Sequence, residues 1–486
     1  MRAGRSIRRV VVAVAALASA GTLVVAAAGV SGSAPSAGPA WVVAIHPSEI
    51  HLGSTDPHAL TTAAQGPPTT AQCEAAYQVP CYQPFQLQRA YDLAPLYAKG
   101  VDGNGQTIII VDAYGSPTIG TDLAVFDKAF HLPAPPSLTV IQPAGPVPPY
   151  KPNSNREGWA GETDLDVEYS HMIAPDANIL LVETPVNENE GTSGFPQIET
   201  AEKYVIAHHM GGVISQSFSA TEQTFPTTAS LLDLRGAYVA AAKQGITVLA
   251  ASGDSGAADV DAAGRYYKFP VTSWPDSDPL VTGVGGTRLH LDDSGAELSP
   301  TAVWNDTYNK ATQKFIDGSP APEPLAGGGG LSIIFKRPDY QKSVAGVVGQ
   351  RRGVPDIAMS GACDGAVDVY QGFPGQVGWF PTCGTSEATP LFAGMVSLAD
   401  QVAGHPLGLI NPALYEMSAA KAPGIVDITA GNNTVSYQTA NHQQTVNGFV
   451  AIPGYDLASG VGTVDAASFV PELAAAATSP APSSGG

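Results

Sequence analysis

The sequence predicts an α/β fold, a parallel sheet flanked by helices on both faces, and three observations lead there. Short apolar runs of strand length alternate with segments of helical period. The runs are apolar at successive positions, as strands covered on both faces are. The alternation continues as one block from about residue 83 to residue 470, with no repeat period. In order, Thr107–Val111 (TIIIV) reads as a strand, Asp164–Met172 as a helix and Asn178–Val182 (NILLV) as a strand. A helix over Ile198–His209 precedes a strand over Val213–Ser217, and a helix over Leu231–Lys243 precedes a buried strand over Ile246–Ala251. Strands alternating with helices give a parallel sheet, and functional residues in such sheets collect at the carboxyl ends of the strands.

Composition bounds the function. The chain has 486 residues, 44% of them hydrophobic, enough for a packed core. With 43 acidic against 23 basic residues it disfavours nucleic acid and other polyanions as partners. Four arginines, Arg2, Arg5, Arg8 and Arg9, precede an uncharged run from Val10 to Val30. Residues 1–32 are therefore expected to be an export signal, cut near Ala28 or Ala34, or else retained as an anchor with the protein facing outside. Residues 33–82, rich in Ala, Ser, Thr, Pro and Gly towards their start, are expected to be a spacer or short propeptide, and residues 471–486 a disordered tail. Cys73 with Cys81, and Cys363 with Cys383, are expected as disulfides in an oxidising compartment, the other outcome being four free thiols.

Three segments carry chemistry. In Gly384-Thr385-Ser386-Glu387-Ala388-Thr389-Pro390, Ser386 stands at the start of an apolar helix, where free N–H groups stabilise a developing oxyanion, and Pro390 is read as lying in its first turn. A serine there is also a common helix cap. No His-Gly-Thr segment supplies an imidazole base, and His171 reads as structural. Glu162 and Asp166 stand four apart on one helical face, so they share a proton and titrate together in acid; the competing reading is a solvated acidic face, which Asp164 and Glu168 fit. Asp254, in Ala250–Gly256 (AASGDSG), ends a buried strand, as a turn former or as an acid that donates to an oxyanion.

Taken together these segments, in their order along the chain, resemble the sedolisin family of serine-carboxyl peptidases, which includes kumamolisin and tripeptidyl-peptidase I. The likeness covers residues 83–470 and implies a subtilisin-like α/β peptidase domain. It implies Ser386 as nucleophile, Glu162 as general base, Asp166 as its orienting partner and Asp254 as oxyanion-stabilising acid. Asp112, just after the apolar run in TIIIVDAYG, falls where kumamolisin-like members keep an extra glutamate on the carboxylate chain. Cys383 departs from the serine that usually opens the nucleophile motif. The spacer is also shorter than the family's folded prosegment.

The resemblance further implies one structural Ca2+, held by Asp427, Asp456 and the carbonyls of Ile428, Ile452 and Gly454, hard oxygen donors suited to that cation. Ile452 and Tyr455 depart from the usual glycine and tryptophan there. The expected whole is a secreted, acid-acting monomer that hydrolyses protein or peptide substrates internally. The alternatives are tripeptide release and an exported, inactive peptide-binding relative.

Overall fold

Thr107–Ala113 (β1) forms the middle of the main sheet because both of its faces find apolar cover. Ile108 and Ile110 join one core with Leu165, Met172, Leu391 and Met395, while Ile109 and Val111 join a second with Ile198, Val205, Tyr238 and Ala241. A strand alternates its side chains between faces, so four consecutive aliphatic residues feed two cores. Each fully buried side chain of this size is worth about 1.5–3 kcal/mol. The computed structural model describes residues 50–51, 59–152, 154–307, 322, 324–440 and 442–477. The expected signal at residues 1–32 lies outside them.

The elements around β1, in chain order, are α1 (Ile119–Phe130), β2 (Leu138–Ile141), α2 (Asn155–Ile173), β3 (Asn178–Thr184), α3 (Phe195–Ala207) and β4 (Val213–Ser215). They continue with α4 (Gly236–Gln244), β5 (Thr247–Ala251), β6 (Thr282–Arg288), β7 (Ala302–Val303), β8 (Ile357–Ser360), α5 (Thr385–Ala403) and α6 (Ala466–Ala477). The sheet order is β7-β6-β5-β4-β1-β3-β2, with β8 also on β6. Every pairing is parallel except that of β6 with the edge strand β7, which makes the sheet mixed. The expected helix over Leu231–Lys243 is two, Thr228–Leu232 and α4.

The spacer and tail boundaries shift. From residue 59 the chain lies against the domain: Thr61 bridges Trp379, Thr70–Tyr77 is a helix, and Cys81–Tyr82 pairs in parallel with Ala366–Gln371. The Cys73–Cys81 disulfide and the buried Tyr82 hold this stretch in place, so low apolar content did not prevent packing. Within the expected tail, α6 continues through Ala477 and buries Leu473 and Ala474. Ile50–His51 pairs antiparallel with Thr382–Cys383, the end of the strand Gly378–Cys383 that leads into α5. Among the described residues no helix is long and apolar enough to cross a membrane.

Candidate active site

The nucleophile motif is built by a strand, a disulfide and a glycine. Cys383 ends Gly378–Cys383 and is bonded to Cys363, so the loop is tied immediately before Gly384. Gly384 caps α5 at φ 135°, and a Cβ there would fall 3.1 Å from Asp254 Oδ2. Only glycine suits that backbone and that approach. Thr385 begins the helix and donates both its N–H and its hydroxyl to Asp254 Oδ1, at 2.7 and 2.8 Å. The same hydroxyl accepts the Gly253 N–H at 3.1 Å, so the loop after β5 and the start of α5 are locked together. Ser386 follows, 3% exposed.

Pro390 lies deeper in α5 than expected, in the second turn. It has no N–H to give the carbonyl four residues back, which is that of Ser386. The hydroxyl of Ser217 points to that carbonyl at 3.5 Å and donates to Asp166 Oδ1 at 2.8 Å. One side chain past the end of β4 thus lies against both the serine's backbone and the carboxylate pair. Ser217 belongs to no motif in the sequence, although its place at a strand's carboxyl end is a signal.

Helices α2 and α5 run side by side in the same direction. Gly394 sits against Ile173 and Ser170, where a Cβ would come within 2.6 Å of Ile173 and 3.1 Å of the Ser170 carbonyl. Eight residues earlier on each helix stand Ser386 and Glu162. With the Ser217 link, this register puts Ser386 level with the Glu162–Asp166 turn.

The acidic helix face is not solvated. Glu162, Asp164, Asp166 and Glu168 are all fully buried, because α2 is covered on every side from Trp159 to Ile173. Burial, then the neighbouring charge of Asp112, holds the Asp166 carboxyl well above the usual range, with the Ser217 hydroxyl opposing. Asp112, at the carboxyl end of β1, is pushed up to about 7, chiefly by burial; Thr163 and Asp166 hydrogen bonds oppose the rise and Glu183 adds to it. Asp112 and Asp166 thus lie close enough for each to shift the titration of the other. Asp164 and Glu168 face another neighbourhood, where Glu168 accepts the Tyr370 N–H at 3.1 Å and is raised by burial, then by Asp164. His171 Nε2 lies 2.9 Å from the Pro133 carbonyl and 3.2 Å from Asp127, within α2's packing against α1.

Asp427 and Asp456 converge on one loop elsewhere. Asp427 Oδ2 accepts the Gly454 N–H at 2.9 Å, and Asp456 Oδ2 accepts the Ile452 N–H at 3.1 Å. A cavity of about 450 Å³ beside them is lined by Asp427, Pro453, Gly454 and Lys421, among others. Asp456 Oδ1 further accepts the Ala458 and Ser459 N–H at 2.9 and 2.8 Å, and two carboxylates gathered at one loop are oxygen donors of the kind that a hard cation takes.

The subtilase family model matches residues 153–444, more than half of the chain. Kumamolisin from Bacillus sp. (strain MN-32) is 31% identical over 392 residues, which is 79% of this chain and 62% of kumamolisin. Tripeptidyl-peptidase 1 from Homo sapiens is 29% identical over 328 residues, 63% of this chain and 50% of that protein. The chain thus spans less than two thirds of either relative. Among solved structures, a Pseudomonas sedolisin, described as a serine-carboxyl proteinase, matches with a TM-score of 0.66 and 25% identity, over 81% of this chain and 97% of that one. The chain belongs to the subtilase family and, within it, to the sedolisins.

Proposed function

We propose that the protein is a secreted serine-carboxyl peptidase that hydrolyses protein or peptide substrates in acid, as a monomer, by acyl transfer to Ser386. The Ser217 hydroxyl that links the Asp166 carboxylate to the Ser386 carbonyl carries this reading, because it ties a serine at a helix start to a buried acid pair. The paired cysteines and the membership in a peptidase family support it further.

In this mechanism Ser386 Oγ attacks the peptide carbonyl while Glu162 takes its proton and Asp166 holds Glu162 in place. The tetrahedral oxyanion is stabilised by Asp254 in its protonated form and by the Ser386 N–H at the start of α5. The C–N bond breaks as Glu162 returns the proton to the leaving amine. Water, deprotonated by Glu162, then releases the acyl group and restores the serine. The cycle needs Glu162 ionised and Asp254 protonated, so the rate falls at both ends of an acidic optimum. Asp112 supports the pair from behind through Asp166.

Denatured protein incubated with the purified chain and with Ser386→Ala across acidic pH tests this reading. Cleavage only by the unaltered chain, with Glu162→Gln also inactive, is expected. Equal background in both would leave a peptide-binding relative without activity. Product lengths separate internal cleavage, which is our reading, from release of tripeptides.

We also assign a Ca2+ to the second site, held by Asp427, Asp456 and the carbonyls of Ile428, Ile452 and Gly454. When bound, the ion pins this loop and takes no part in acyl transfer.

A further inference from the structure

A pocket of about 270 Å³ opens at the carboxyl ends of β1 and β3, between Tyr114, Gln142, Pro149, Tyr150, Arg156 and Glu183. It adjoins the carboxylate chain through Glu183, which stands opposite Asp112 in the β1–β3 register and whose charge acts on Asp112. Its other wall is the start of α2, where Arg156 precedes Glu162 by six residues on the same helix. The pocket and the proposed reacting groups therefore share both a strand end and a helix.

The walls are built rather than incidental. Gly115, at φ 71°, lies so close under Glu183 that a Cβ there would overlap its Oε1. Glu183 is itself 6% exposed, and its Oε2 accepts the Gln142 amide at 2.7 Å. Burial raises the Glu183 carboxyl above its ordinary range, which favours its neutral form in acid. Tyr114 donates its hydroxyl to Asn187 at 2.8 Å, and Tyr150 donates its own to the Pro374 carbonyl at 2.6 Å, so both rings are anchored.

Arg156 is the unusual member. Its guanidinium stands 5.6 Å from the centre of the Tyr114 ring and donates through Nη1 to the Pro149 carbonyl at 2.8 Å. Among the described residues no carboxylate forms an ion pair with it. In a chain with 43 acidic and 23 basic residues, an arginine left on a neutral partner beside the proposed active site has its charge available to a ligand. Guanidinium groups match carboxylates as paired donors, and the fixed ring beneath this one limits its motion.

We propose that this pocket is a substrate subsite that takes an aspartate or glutamate side chain near the cleaved bond, with Arg156 as the residue that determines the preference. The proposal rests on the peptidase reading above and names a substrate class for it. Matched peptides differing only in Glu against Gln at each position near the cleaved bond, made with free-acid and amidated C-termini, test it at pH 5. The unaltered protein should cleave the Glu peptide of one position about tenfold faster in kcat/KM, a difference of about 1.4 kcal/mol in transition-state stabilisation. In Arg156→Gln that ratio should fall to about one, with the melting temperature unchanged.

A preference that survives Arg156→Gln, or none in the unaltered protein, overturns the subsite and leaves the peptidase reading standing. A preference confined to the free-acid series overturns the side-chain assignment in favour of a substrate terminus. An unaltered protein as inert as Ser386→Ala overturns the peptidase reading and the subsite together.

Discussion

At the scale of single residues, Ser217 and Glu387 both adjoin Ser386, one across from its carbonyl and one next to it in the chain. Ser217 donates to Asp166 and faces a carbonyl that Pro390 leaves without its helical partner. Its donation favours the ionised form of Asp166, so Ser217→Ala should hold the proton on the carboxylate pair to higher pH. The acid limb of the kcat/KM profile should therefore move upward, and the rate at the optimum should drop about tenfold, near the 1–3 kcal/mol of a lost buried hydrogen bond. An unmoved acid limb would count against the link. Glu387, next to the nucleophile, is fully buried beside Ser360, and burial holds its carboxyl well above the usual range, with the Ser360 hydroxyl opposing. Its neighbours Tyr91 and Tyr169 are raised first by burial, and the charge of Glu387 adds to that rise. Because its affinity for protons is higher folded than unfolded, the stability it lends is complete in acid and lost as pH rises. Glu387→Gln should leave the melting temperature at pH 4 nearly unchanged and raise it at pH 7.

Among elements, α5 and the strand before it form the unit on which the site depends. The Cys363–Cys383 bond closes a loop of 20 residues in front of Gly384. Replacing both cysteines with serine should lower the free energy of unfolding by about 3 kcal/mol, as for a loop of similar length, read from denaturant midpoints. It should also lower kcat, since the strand end that positions α5 is no longer tethered. The loop from Ile452 to Asp456 is the second dependent unit. A chelator should lower the melting temperature of the unaltered protein, by about 2.7 kcal/mol of lost binding where calcium stood at a hundred times its dissociation constant. Asp427→Asn should abolish that response, and an identical response in the variant would remove the ion from this loop.

For the molecule as a whole, buried acids set the dependence of stability on pH. Asp122 is pushed up to about 6, Asp306 to about 7 and Asp400 to about 8, in each case first by burial, while Glu202, Asp276 and Asp368 are held well above the usual range for the same leading reason. A carboxyl raised in the folded state stabilises fully below its unfolded value, near 4, and loses that contribution as pH climbs through its folded value. Several such groups act in the same direction. The melting temperature should accordingly be highest near pH 4 and fall between pH 4 and 8, followed by calorimetry. A melting temperature that rises over this interval would contradict the burial of these groups.

The order of strands and helices was legible in the sequence, because continuous apolar runs and helical spacing are local signals that burial on two faces imposes. Ser386, Glu162, Asp166 and Asp254 stood out as motifs for the same reason, each being short and contiguous. Which acids are buried was not legible: Asp164 and Glu168 sit at spacings that suit a solvated face as well as a covered one, and only the packing of α1, α5 and the strand Ala366–Gln371 around α2 excludes water. The spacer's attachment likewise depends on partners hundreds of residues away. Ser217 and Arg156 acquire their meaning only in three dimensions, since a hydroxyl that joins two helices and a guanidinium over a distant ring leave no mark at fixed spacing. Local chemistry and periodicity were set by the order of residues, whereas burial and long-range juxtaposition, which decide charge states and pocket walls, were set by tertiary packing.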